Sequence, residues 1–299
     1  MTSESSIAVP LSARVAGAPI SWGVCEVPGW GHQLPPERVL AEMRDLGLRA
    51  TEFGPVGYLE TEPAAKAAQL ADYGMSAVGG FLPVVLHDPQ HDPMAEVDEF
   101  IDGCLASGAG VVVLAAATGV DGYDDRPELD DQGWATLLAN LDRINDHAAQ
   151  RGVVASLHPH IGTMIESGPE TERVLAGSQI GLCIDTGHLA VAGADPVAIT
   201  QANPERVVHV HLKDVNPELA AKVQAGEITF GRAVNAGVFC PLGEGSVDVA
   251  AMVRTLESCG YQGWYVLEQD VQLAEDDQDA DPLADVRRCR DYLLAVAAE

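Results

Sequence analysis

Four stretches in the second half of this chain each bring a side chain able to hold a divalent cation to the end of a β-rich run. They are VVASLHPH at His158, with His160 two residues on, GLCIDTGH at Asp185, VVHVHLKD at His211, and WYVLEQD at Glu268. The spacings are 27, 26 and 57 residues, and the last contains a polar, glycine-rich stretch at 214–243 whose removal restores the shorter period. One β-strand plus one α-helix fills such a period, so the four donors occupy equivalent places on successive βα units. In a (β/α)8 barrel those places meet at the C-terminal mouth, where barrels keep their chemistry.

The residue types indicate what that chemistry would be. Two carboxylates aimed into one mouth repel each other, and burial makes each charge costly unless a cation lies between them. Asp185 and Glu268 with neutral imidazoles suit a borderline ion such as Mn, Co, Fe, Ni or Zn, where an all-oxygen cage would favour Mg or Ca. Strand alternation puts His158 and His160 on one face, and likewise His209, His211 and Lys213. Either histidine of the HPH motif can therefore be the ligand. Nearness to the strand end favours the set His158, Asp185, His211 and Glu268, with His209 a core or supporting histidine.

Eight runs rich in β-branched and apolar residues are available to position these groups: 17–22, 48–53, 76–86, 111–116, 153–158, 180–185, 207–212 and 264–268. Helix-length segments with apolar residues at helical spacing lie between them, such as 36–46 and 134–149. Asp92-Pro93 and Gly168-Pro169 mark helix starts, and Ser246 stands before a helix predicted over 247–258. Near-continuous apolar strands between amphipathic helices indicate a helix-covered parallel sheet, hence an α/β class. A doubly wound sheet would carry a glycine fingerprint after its first strand, and SWGVCEVPGWG contains none. The expectation is one (β/α)8 TIM-barrel domain over 1–299, with a long insertion at about 214–243 after strand seven and a solvated acidic loop at 275–281.

Composition limits the partners. A formal charge of −28 with only 17 Lys plus Arg opposes binding to nucleic acid or to an anionic membrane. The longest apolar run, 111–117, is far short of the ~20 residues needed to cross a bilayer. Six scattered cysteines without a CxxC pair, and no signal-like segment in 1–14, point to reduced thiols and a cytoplasmic address. Oligomeric state is not legible, and a homo-oligomer is expected only from the general prevalence of such assemblies.

At these motifs a resemblance emerges. HLKD, IDTGH and the terminal LEQ resemble the xylose isomerase-like barrels, a superfamily of sugar isomerases, ketose 3-epimerases and endonuclease-IV-like enzymes. More narrowly, PISWG at 19–23, TEFGPVGYL at 51–59, LHPHIGT at 157–163 and VFCPLGEGSVD at 238–248 resemble inosose dehydratase. The resemblance implies a divalent metal, Mn or Co foremost and Zn, Fe, Ni or Mg admissible, and removal of water from a keto-inositol to give a cyclohexanedione through an enediolate. His158 stands where the epimerases carry a second glutamate, which disfavours proton exchange on both faces of a sugar. Glu268, His188 and Glu52 are candidates, in that order, for the base. Lys213 would hold the developing oxyanion or a substrate hydroxyl, His160 and His188 would donate to the departing hydroxyl, and Trp22 would face the ring. The alternatives are a metal-dependent ketose isomerase or epimerase, and a non-enzymatic barrel that binds a cyclic polyol or sugar.

Overall fold

A computed structural model describes residues 9–120, 126–274 and 282–298. The strands are β1 Val15–Gly17, β2 Ala50–Thr51, β3 Ser76–Ala77, β4 Gly79–Val84, β5 Val111–Ala116, β6 Val154–Leu157, β7 Gly181–Asp185, β8 Val207–Leu212, β9 Asp214–Val215, β10 Phe239–Cys240 and β11 Tyr265–Leu267. Nine of them form one sheet in the order β3-β2-β1-β11-β8-β7-β6-β5-β4, every pairing parallel. The two ends of that order, β3 and β4, are parts of one extended stretch interrupted only at Val78. Its N–H goes to Thr51 on the β2 side and its carbonyl accepts from Gly110 and Val111 on the β5 side. The sheet therefore closes on itself, with eight staves. The expected (β/α)8 barrel is the observed fold.

Alternation along each strand separates two layers. Val112 and Leu114 on β5, Val210 and Leu212 on β8, and Tyr265 and Leu267 on β11 face the helices in the main apolar core. The opposite face is filled by small residues, among them Ala16, Ala50, Val78, Val113, Cys183 and Val266, which close the barrel floor. His209 and His211 share that inward face on β8 and are both buried. The same pleat that sends Val210 and Leu212 outward thus delivers two imidazoles to the interior.

Three local expectations need correction. The first run is a strand only over Val15–Gly17; Pro19–Trp22 is a 3-10 turn, because Pro19 offers no N–H to the ladder and Gly23 closes the turn at φ 79. The helix predicted from Val247 starts at Val249. Its cap is Asp248, whose side chain accepts from Ala251 N, while Ser246 bonds instead to the Val215 carbonyl. Trp22, expected to face a sugar ring, is fully buried with its indole N–H donated to Glu42 at 2.7 Å. The turn directs the ring into the helix layer. The acidic run 275–281 lies outside the described residues.

The 214–243 segment is folded: β9, the helices Pro217–Gln224 and Phe230–Asn235, and β10, which pairs antiparallel with β9. It builds a satellite core of Val215, Phe230, Ala233, Val234, Val238 and Phe239 against Trp30, Ile161 and Val191, capping one side of the barrel mouth. Asp214 staples its base. The carboxylate accepts the N–H groups of Val215, Gly243, Gly245 and Val247 at 2.8 to 3.0 Å. A Cβ on Gly245 would stand 2.3 Å from Asp214 Oδ1, so only glycine fits there. Removing this buried acceptor by Asp214→Ala is expected to cost about 2–3 kcal/mol, measured by urea unfolding, with the satellite core loosening first. An unchanged midpoint would refute the stapling role. Among the described residues, no helix is long and apolar enough to cross a membrane.

Candidate metal centre at the barrel mouth

Staves β6, β7, β8 and β11 are consecutive in the ring, so their C-terminal ends sit side by side. His158 follows β6, its N–H still on the ladder to Leu114, and Glu268 follows β11, its N–H on Leu212. Register pairs Asp185 with His211 across β7 and β8. One ligand atom from each of His158, Asp185, His211 and Glu268 lies within 4.8 Å of all the others. His158 Nε2 is 3.1 Å from His211 Nδ1 and 3.3 Å from Asp185 Oδ2, and Glu268 Oε2 is 2.5 Å from His211 Nδ1. Around a four-coordinate cation with bonds of ~2.1 Å, ligand atoms stand about 3.4 Å apart, so small adjustments suit this donor set to a divalent ion. His160 is not part of the group. Its Nδ1 bonds to the Ile161 carbonyl at 2.7 Å and its ring stacks on His188 at 3.8 Å.

Local sequence explains the aim of each ligand. Asp185 caps the short helix Thr186–Val191, its Oδ1 accepting from the N–H of Gly187 and His188 at 2.8 Å, which leaves Oδ2 directed at the centre. Thr186 Oγ1 donates to the Lys213 carbonyl at 2.6 Å and accepts its N–H at 2.8 Å, tying β7 to β8. A Cβ on Gly187 would lie 2.6 Å from Lys213 Cβ and from the Phe239 ring. The DTGH motif is thus a ligand, a strand clamp, a space for the lysine and a cavity-lining histidine. Glu52, following β2, reaches across the floor and accepts from Nε2 of both His209, at 2.8 Å, and His211, at 3.0 Å. A carboxylate on Nε2 keeps a proton there and turns Nδ1 of His211 toward the other three donors; the carboxylates around the ring outweigh burial and hold it protonated, so a bound cation would take the place of the Nδ1 proton shared with Glu268.

Two further ligand groupings, Glu52 with His209 and His211, and Cys183 with His158 and His211, share this volume. They fit a cation less well. Glu52 Oε1 already accepts two N–H bonds, and burial pushes the Cys183 thiol up to about 11, so it stays protonated.

Electrostatics are set by Lys213, only 1% exposed, whose ammonium lies 2.5 Å from Asp185 Oδ2, 2.7 Å from Glu268 Oε2 and 3.4 Å from Asp270 Oδ1. Burial works against its charge, but Asp185, Asp270 and Glu268 outweigh burial and hold it well above the usual lysine value. Burial likewise raises Asp185 and Glu268; the Lys213 charge reverses this for Asp185, and His211 and Lys213 bring Glu268 down to about 2. For Asp270, burial with the Glu268 and Asp185 charges prevails over Lys213 and pushes it up to about 7. Burial first, then neighbouring histidines, lowers His160 to about 3 and His188 well below the imidazole range, so both are neutral. As neutral imidazoles they lack the extra proton of an imidazolium acid.

A cavity of about 550 Å³ opens above the centre, lined by His158, His160, His188, His211, Lys213, Glu268 and Asp270, with Trp30, Phe53, Phe81, Phe230 and Lys66 on its walls. Asp270 was legible in principle, two residues past Glu268 in LEQD. The aromatic walls come from loops and helices unrelated in spacing, and no pattern in the sequence singles them out.

A closed parallel barrel thus carries two imidazoles, two carboxylates and a buried lysine under one open cavity at its C-terminal mouth. The Xylose isomerase-like TIM barrel family model matches residues 40–289, and the chain belongs to that family. It is 31% identical to the rhizopine catabolism protein MocC of Rhizobium meliloti, over 96% of this chain and 90% of that protein. It is 30% identical to inosose dehydratase of Geobacillus thermodenitrificans, over 92% and 94%. The solved structure of the IolI protein with a bound zinc atom shares the fold, with a TM-score of 0.69 at 12% identity, covering 95% of this chain and 98% of that one. The resemblance read from HPH, DTGH, HLKD and the insertion is thereby borne out.

Proposed function

We propose that this protein removes water from a keto-inositol, with a divalent cation held by His158, Asp185, His211 and Glu268. The observation that carries the reading is the division of labour among the carboxylates. Asp185 is tied down by two backbone N–H groups and Glu52 by two floor imidazoles, whereas Glu268 and Asp270, on one loop after β11, have side-chain partners alone and line the cavity, which makes them the pair positioned to exchange protons with a ligand. An acid and a base on one wall suit elimination; exchange on both faces of a sugar would need carboxylates on opposite walls. Similarity to inosose dehydratase over nearly the whole chain supports the substrate.

The bound cation would supply Lewis acidity, polarising the ketone and stabilising the charge that develops when the neighbouring carbon loses its proton. Glu268 takes that proton. Lys213 Nζ, already between Asp185 and Glu268, donates to the oxygen that becomes negative. Three carboxylates face this one ammonium, so Asp270 holds a proton at Oδ2 and passes it to the departing β-hydroxyl. His188, with Nε2 3.6 Å from that oxygen, and His160, stacked on His188, form the wall beside it. Phe230 and Trp30 exclude water from the side capped by the insertion.

The test is to strip the protein with chelator, reload it with Mn, Co or Zn, and supply inosose. Absorbance of the unsaturated dione, absent from the stripped protein, is the expected result. A folded, metal-loaded protein that forms no dione overturns the substrate, and solvent deuterium entering a ketose without loss of water would move the reaction to the epimerases.

A further inference from the structure

The chain contains three lysines, Lys66, Lys213 and Lys222, and two of them line the same cavity. Lys213 is consumed by three carboxylates. Lys66 is different. It projects from the helix Pro63–Asp72, is half-buried, and rests its ammonium 4.1 Å from the centre of the Phe53 ring. It makes no ion pair or hydrogen bond with any described residue. That is unusual in a protein of formal charge −28. Glu26 and Glu60 line the cavity too and leave Lys66 unpaired.

Topology places Lys66 with respect to the metal centre. Phe53 follows Glu52 at the end of β2, and β2 is four staves from β7 in either direction around the eight-stave ring, through β1, β11 and β8 or through the β3/β4 stretch, β5 and β6. Lys66 and Phe53 thus form the wall diametrically opposite Asp185. A ring chelated at the metal centre presents its remote side to this wall. Half-burial removes part of the water around the ammonium, and the aromatic face returns only part of what is lost. A ligand oxygen would complete its shell.

We infer that Lys66 on Phe53 is a second recognition site in the cavity, donating to a hydroxyl oxygen on the side of a polyhydroxylated ring remote from the reacting carbon. A neutral polyol is the class that fits, since its hydroxyls can donate to Glu26 and Glu60 and accept from Lys66, whereas an anionic substituent would meet those carboxylates. The inference rests on the proposed polyol substrate but concerns binding, not the reaction.

The experiment titrates myo-inositol, an unreactive polyol, calorimetrically into the Mn-loaded protein, its Lys66→Met variant and its Lys66→Arg variant. Losing one charge-assisted hydrogen bond should weaken binding by Lys66→Met about ten- to hundredfold, with Mn content and melting temperature unchanged. Lys66→Arg should recover most of it. With inosose, the same loss should appear in KM, kcat staying within about threefold. Equal affinity in wild type and Lys66→Met overturns the inference, as does a wild type that holds no myo-inositol. A wild type that binds myo-inositol but forms no dione from inosose refutes the reaction, while the comparison of affinities still decides the role of Lys66.

Discussion

Asp185→Asn is expected to yield a folded protein that no longer retains a divalent ion and has lost at least about a thousandfold in activity. The substitution separates two duties of one side chain. An asparagine oxygen can still accept the N–H groups of Gly187 and His188, so the helix Thr186–Val191 keeps its cap. The other carboxylate oxygen becomes an amide nitrogen, which has no lone pair for a cation and points its hydrogens at Lys213 Nζ and His158 Nε2. Changing an outer partner of a metal site typically costs 10–100-fold in affinity, and removing an anionic ligand itself costs more. Elemental analysis of protein purified and dialysed alongside wild type is the measurement. Metal content equal to wild type would dismantle the proposed centre and leave only the barrel.

Lys213→Met should produce the opposite pattern. Its ammonium stands within 2.7 Å of the Asp185 and Glu268 oxygens assigned to the cation, so it neutralises the site and also repels the ion. Without it, three buried carboxylates face one another with His211 as the remaining nearby cation, and breaking a buried ion pair typically costs about 3–5 kcal/mol. A divalent ion restores the balance. The variant should therefore unfold at markedly lower denaturant when stripped, recover much of that stability with Mn, and bind Mn at least as tightly as wild type. Activity should not recover, because nothing replaces the donor to the developing oxyanion, a loss of about 10²–10³ in kcat. Stability that is independent of Mn, or full activity in the loaded variant, would overturn this role.

Much of the site was legible because strand geometry is periodic. Side chains alternate, so a histidine at a strand end and an aspartate one βα unit later must arrive at the same rim, and VVHVHLKD had to send His209, His211 and Lys213 to one face. The choice between His158 and His160 was not legible, since alternation treats them alike; the continued ladder bond from His158 to Leu114 and the pairing of His160 with Ile161 separate them. Glu52 was legible as a polar residue at a strand end, but not as the acceptor for two imidazoles, which depends on its reach across the barrel floor from β2 to β8. Trp22 failed because PISW looks extended by composition, and only a proline without an N–H beside a left-handed glycine turns it outward.

What the amino-acid order determined by itself was the alternation of strand and helix, the closing of eight staves, and the delivery of His158, Asp185, His211 and Glu268 to one rim, because pleat and period act over neighbouring residues. Tertiary structure alone decided which carboxylates accept backbone N–H groups and which have side-chain partners alone, how Lys213 is shared, and that Lys66 stands across the cavity from Asp185. Those outcomes depend on distances between residues far apart in the chain, set by how the staves close and how the insertion packs over them.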